Sequence, residues 1–183
     1  MNDHGAPVLY AIVTGAPPAR DVGKLVDLAQ ADGWDVCVIA SPEGSRFIDA
    51  DALEAKTGHP VRTRYKDPGT PDLFRPADGM IVAPITSNSL AKWAAGISDT
   101  LPLGLLVEAV GKRLPVVAVP SANAALRRFP AIANAVTNLS EWGVTVVTGE
   151  QHSPGGRSGA LDEFPWSKAW SALLEHPWLH AAS

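Results

Sequence analysis

The chain has 183 residues, 46% hydrophobic and 19% charged, which suits one compact domain able to bury a full core. Fifteen basic against 19 acidic side chains leave a net charge of −4, so no global attraction draws it to nucleic acid or to an anionic membrane. A single cysteine, Cys37, excludes an internal disulfide and a cysteine-rich metal site and fits a reducing, cytoplasmic compartment.

The opening MNDHGAPVLYAIVTG lacks the basic stretch and long apolar run of a signal peptide. No apolar run reaches the roughly 18 residues that cross a bilayer. VLYAIVTG (8–15) is the first strand-length run, and PARDVGKLVDLAQADG (18–33) follows as a helix with Val22, Leu25, Val26 and Leu28 on one stripe and Gly33 as its stop. WDVCVIAS (34–41) is a second strand. Short helical pieces fill 43–58, and PVRTRY (60–65) alternates as a third, edge-like strand before the Pro- and Gly-rich loop KDPGTPD (66–72). GMIVAPIT (79–86) is the fourth strand, followed by helical SLAKWAAGIS and LGLLVEAVGKR. PVVAVPS (115–121) is the fifth strand, AIANAVTNLSEWG (131–143) a helix with a glycine stop, and VTVVTG (144–149) the sixth strand. A flap-like loop, EQHSPGGRSGA, then leads to an amphipathic helix, DEFPWSKAWSALLEH, whose Trp166 and Trp170 read as core or subunit packing.

Strands apolar on both faces and alternating with helices predict a parallel sheet covered on both sides. Right-handed crossovers then give an α/β, three-layer, doubly wound fold of the flavodoxin or Rossmann kind, with residues 1–183 as one domain. Such sheets bind ligands beyond the carboxyl ends of their strands. There the sequence places Thr14-Gly15-Ala16-Pro17-Pro18, Ser41-Pro42-Glu43-Gly44-Ser45, Thr86-Ser87-Asn88-Ser89 and Ser121-Ala122-Asn123. Taken singly, each hydroxyl or amide reads as a helix cap; four such loops on one rim point to a ligand. The first loop is neither a Walker A loop nor a G-x-G-x-x-G fingerprint, which leaves a mononucleotide phosphate.

PITSNSLAKWAAGISD (84–99) and PSANAALRRFPAIANAVTNLSEWGV (120–144) resemble two segments of the homo-oligomeric flavin-containing cysteine decarboxylase family, P-A-S-A-N-T with A-K-x-A-x-G-I-(A/S)-D, and P-A-M-N with its following helix. The resemblance covers roughly residues 8–149. It implies FMN bound between protomers of a trimer, or of a dodecamer built from trimers, and a small-molecule or peptide thiol substrate. It assigns Gly15, Ala16 and Ser41 to the phosphate, Phe47, Thr86, Ser87, Asn88 and Ala91 to the ribityl chain and ring, and Ser121 and Ala122 to the isoalloxazine edge. Asn123 matches the Asn that meets the substrate carboxylate, and Asp99 an acidic residue that reads equally as the cap of the next helix.

Two family groups have no counterpart. Thr70 stands where the family has its catalytic His, eight residues before Asp78, and a hydroxyl cannot accept a proton near neutral pH as imidazole does. The flap carries no cysteine, and Cys37, in mid-strand, reads as a buried small hydrophobe. His152 in the flap is a candidate replacement for the missing group or an exposed loop histidine, and Arg157 a candidate partner for a substrate anion or a solvated cation. Three readings follow: a diverged FMN-dependent oxidoreductase or decarboxylase, a non-catalytic FMN-binding or regulatory subunit of a hetero-oligomer, and a domain for another mononucleotide.

Overall fold

The computed structural model describes residues 5–148 and 164–179. Five strands lie among them: β1 (Val8–Val13), β2 (Asp35–Ala40), β3 (Gly79–Thr86), β4 (Val116–Ser121) and β5 (Thr145–Val146). All pair in parallel, in the order β2-β1-β3-β4-β5. The helices are α1 (Gly23–Ala31), α2 (Ala50–Thr57), α3 (Ser87–Ala94), α4 (Leu101–Gly111), α5 (Ala124–Arg128), α6 (Pro130–Glu141) and α7 (Trp166–Leu174).

Side chains alternate across each strand, so the two faces of the sheet carry separate cores. Leu9, Ala11, Val13, Ile81, Ala83, Val117 and Val119 meet Leu25, Val26 and Ala29 of α1 and Trp166, Trp170 and Leu173 of α7. Val8, Tyr10, Ile12, Met80, Val82, Val116 and Ala118 meet Leu90 and Trp93 of α3, Leu106 of α4 and Leu139 of α6. Burial on both faces is why these strands read as continuous apolar runs rather than alternating ones. The result is the expected three-layer α/β arrangement, with the strand order of flavodoxin-like folds. The order reverses between β1 and β3, whose connections leave towards opposite edges of the sheet.

The structure corrects the prediction at several points. Residues 60–65 do not form a third strand: Arg62 alone bridges β2, its N–H donating to Val38 at 3.1 Å and its carbonyl accepting from Ala40 at 2.9 Å. Pro60 has no N–H to offer a ladder, and the Arg62 guanidinium lies over the Phe74 ring at 5.4 Å. The sixth predicted strand shortens to β5, with one further bond from Val147 N–H to Ala118 at 2.9 Å. Pro17 and Pro18 turn the start of the first predicted helix into a 3-10 turn, Pro17–Asp21, ahead of α1. Thr100, not Asp99, caps α4, and Asp99 pairs with Lys92 at 2.5 Å.

Trp166 and Trp170 are core residues, as their spacing suggested. The Trp170 indole stands edge-on to Trp34 and donates to Asp32 at 2.6 Å, which docks α7 on α1. Cys37 is buried, and desolvation pushes its thiol up to about 12, so it packs as a protonated hydrophobe.

The chain after α7 is anchored by His176, which is 2% exposed. Its Nε2 lies 3.0 Å from the Gly143 carbonyl, and its Nδ1 accepts from Trp178 N–H at 3.2 Å, so both contacts suit a neutral ring protonated on Nε2. Burial lowers its pKa below the ordinary imidazole value. The unfolded chain then takes up the proton first, so the contribution of His176 to stability is complete above about pH 6.5 and declines as pH falls from there through the folded value. The expected outcome is an NMR titration of His176 with its midpoint below that of a free imidazole, and a folded state that weakens between about pH 6.5 and that midpoint.

Candidate functional site

The gap between β1 and β3 is closed at its carboxyl end by one side chain. Thr14, 2% exposed, donates its Oγ1 hydrogen to the Pro84 carbonyl at 3.0 Å and accepts from Thr86 N–H at 2.8 Å, while its own N–H also reaches Pro84 at 3.0 Å. The loops after both strands therefore start from a fixed relative position. Gly15 is required next to it, since a Cβ there would fall 2.6 Å from Glu43 Cβ. This close approach brings the loop after β1 against the loop after β2. In that second loop, Ser41 Oγ accepts from Gly44 N–H at 3.0 Å and holds a short 3-10 turn, Gly44–Arg46.

The four hydroxyl and amide residues at 86–89 divide into two pairs. Thr86 caps α3: its Oγ1 accepts from Ser89 N–H at 3.2 Å and lies 3.1 Å from Ser89 Oγ. Those two hydroxyls satisfy each other and the helix end. Ser87 and Asn88 have no such task. Ser87 Oγ is shielded from solvent and has no hydrogen-bond partner, and a buried polar atom left in that state costs about 1–3 kcal/mol unless something else meets it. Asn123 repeats the capping geometry on α5, with Oδ1 accepting from Leu126 N–H at 3.0 Å.

A cavity of roughly 520 Å³ lies against these loops and brings together Gly15, Ala16, Thr86, Ser87, Asn88, Ser121, Ala122 and Asn123, with Arg127, Phe164 and Pro165 completing its wall. Its size is that of a small-ligand or cofactor site. A second cavity of roughly 360 Å³ continues from Gly15, Thr86 and Asn88 towards Ser41, Glu43 and Lys92. A third, of roughly 270 Å³, shares Ser87, Pro120, Ala122 and Arg127 with the first and is otherwise walled largely by apolar side chains from α3 and α6 and by Val146.

Nine of the eleven described cofactor and substrate candidates thus sit on one continuous cleft. Phe47 and Ala91 line none of the three cavities: Phe47 is 36% exposed at the end of the Gly44–Arg46 turn, and Ala91 packs against the core beneath α3. Thr70 is exposed in the loop ahead of β3, its hydroxyl donating to the Asp67 carbonyl at 2.6 Å. His152 and Arg157 lie outside the described residues. Sequence reasoning missed Thr14 as the residue that aligns the loops and Arg127 as part of the wall. The legible signal for Arg127 was its spacing, four residues after Asn123 on a helix, which puts both on one face.

The model of the Flavoprotein family matches residues 2–163 of this chain. The phosphopantothenoylcysteine decarboxylase of Mus musculus is 32% identical over 144 residues, 72% of this chain and 67% of the relative. The coenzyme A biosynthesis bifunctional protein CoaBC of Mycobacterium tuberculosis is 34% identical over 135 residues, 70% of this chain; the chain spans only 32% of that relative's length. Among solved structures, the FMN-dependent cysteine decarboxylase SpaF superposes with a TM-score of 0.70 at 26% identity, covering 90% of this chain and 97% of its own.

Replacing Thr14 by Val keeps the shape of the side chain and removes both of its bonds. The expected loss is about 1–3 kcal/mol in denaturant unfolding with an unchanged m-value, mostly restored by Thr14→Ser.

Proposed function

The chain belongs to the Flavoprotein family, and on that premise we propose that it binds FMN in the cleft at the strand ends and works as a diverged FMN-dependent oxidoreductase or decarboxylase on a small or peptide thiol substrate. The observation that carries the reading is the cleft itself, where the rim loops of β1, β3 and β4 meet around one cavity and the buried Ser87 Oγ waits without a partner. The donor set suits a phosphate-tailed, flat ring system. The tight loop at Gly15 and Ala16 supports the phosphate end, and Ser41, whose oxygen already accepts from Gly44 N–H, has its own hydrogen left to donate. Ser87, Asn88, Ser121 and Ala122 all line the cavity; on this reading the first two would meet the ribityl chain and ring and the last two the ring edge.

Bound FMN would supply a two-electron acceptor, chemistry that no side chain provides. The protein's share is orientation and exclusion of water. Asn123 has its Oδ1 committed to α5, so its NH2 group is the end available to a substrate carboxylate. His152, outside the described residues, is the candidate proton acceptor. Self-association into a trimer, or a dodecamer of trimers, is supported by the large exposed side chains Ile97, Phe129 and Trp142.

A second reading, a non-catalytic FMN-binding or regulatory subunit of a hetero-oligomer, is favoured by the wall of the main cavity. Among the described residues that line it, Arg127 is the one ionisable side chain, and none is an imidazole, thiol or carboxylate. Anaerobic mixing separates the two readings. Bleaching of the flavin by a peptide ending in cysteine, or release of carbon dioxide from that peptide or from pantothenoylcysteine phosphate, supports the enzyme; an unchanged flavin spectrum with no carbon dioxide released from either supports the binding subunit.

Purified protein is expected to retain the absorbance of oxidised flavin after ultrafiltration. Asn88→Trp, at an exposed position on the cavity wall, is expected to abolish that retention while leaving the far-UV circular dichroism intact. Full retention by the variant would place the flavin elsewhere.

A further inference from the structure

We propose that Arg127 selects the substrate of this cleft for negative charge, holding a carboxylate or phosphate oxyanion between its guanidinium and the Asn123 amide; this rests on the reading of the cleft as the ligand site. Both residues belong to the same short turn, Asn123 as the cap of α5 and Arg127 four residues on, and both line the main cavity. The Arg127 side chain is pinned by its Nε–H, which donates to the Ala122 carbonyl at 3.0 Å. That bond fixes the plane of the guanidinium and leaves the terminal nitrogens to other partners, yet no described carboxylate pairs with them.

Asn123 adds to this. Its Oδ1 accepts from Leu126 N–H, so only N–H donors remain. This end of the cavity therefore presents donors and one positive charge, with no carboxylate among the described lining residues to neutralise it. A planar fork of donors matches a carboxylate or phosphate in a bidentate pair. Arg127 also lines the third cavity, among Leu90, Ile132, Val136 and Val146, and those apolar walls strengthen its attraction for an anion relative to open water. Arg128, one residue on, is exposed and lines neither cavity, which makes it the internal control.

Calorimetric titration of the protein in saturating FMN tests the proposal with three probes: N-acetylcysteine, its carboxamide and inorganic phosphate. Wild-type protein is expected to bind at least one of the two anions about tenfold or more tightly than the neutral carboxamide, as the loss of a charge-assisted pair implies. Arg127→Gln is expected to erase that preference, Arg127→Lys to keep part of it, and Arg128→Gln to leave it whole. Preference for N-acetylcysteine identifies a carboxylate as the ligand group, and preference for phosphate a phosphoryl group. Equal binding of anion and carboxamide by the wild type, or a preference that survives Arg127→Gln with unchanged circular dichroism, overturns the proposal. Flavin absorbance of the same samples is scored separately. A colourless wild type would sink the FMN reading while the anion comparison still decides the role of Arg127.

Discussion

Parallel strands whose crossovers depart towards opposite edges leave a crevice between them that no connecting segment covers. In this chain β1 and β3 are those strands, and the buried Thr14 hydroxyl ties their ends together by donating to Pro84 and accepting from Thr86 N–H. The β1 and β3 sides of the cleft take their relative position from that tie. It sets where the Gly15 loop begins, where α3 begins, and how far apart the two rims stand. A hydroxyl can do this because it both donates and accepts at one atom, which an apolar side chain of the same shape cannot.

Helix capping decides which of the small polar groups on the rim remain for a ligand. Thr86, Ser89 and Asn123 Oδ1 are consumed by the starts of α3 and α5. What is left over is Ser87 Oγ, the Asn88 side chain, the Asn123 NH2 group and the guanidinium of Arg127. The remainder is rich in donors, on walls made largely of small or apolar residues. Such a surface suits an oxygen-rich, negatively charged molecule carrying a flat apolar part, and membership of the Flavoprotein family agrees with it.

Much of this was legible beforehand. The continuous apolar runs of β1 to β4 announced a sheet buried on both sides, because only a parallel sheet under two helical layers removes both faces of a strand from water. The rim loops of β1, β3 and β4 fall together on the strength of the sequence alone, because parallel strands present all their carboxyl ends on one side. The 60–65 segment misled, since its alternation of Val61, Thr63 and Tyr65 with arginines looks like an edge strand. One bridge from Arg62 is all that forms, beside a Pro60 that has no N–H to give a ladder. Asp99 misled in a similar way, as a carboxylate beside a helix start that binds Lys92 instead and leaves the cap to Thr100.

The sequence by itself determined the layers, the rim and the list of small polar residues that gather there, because periodicity and strand polarity are local properties of the chain. Only the tertiary structure decided how those residues divide their work. Whether a serine hydroxyl is spent on a cap or left unpaired, and whether an arginine one turn beyond an asparagine reaches a cavity or open water, depends on distances between segments far apart in sequence. Hydrogen bonds have short range and strict geometry, so these allocations exist only once β1, β3 and β4 are side by side.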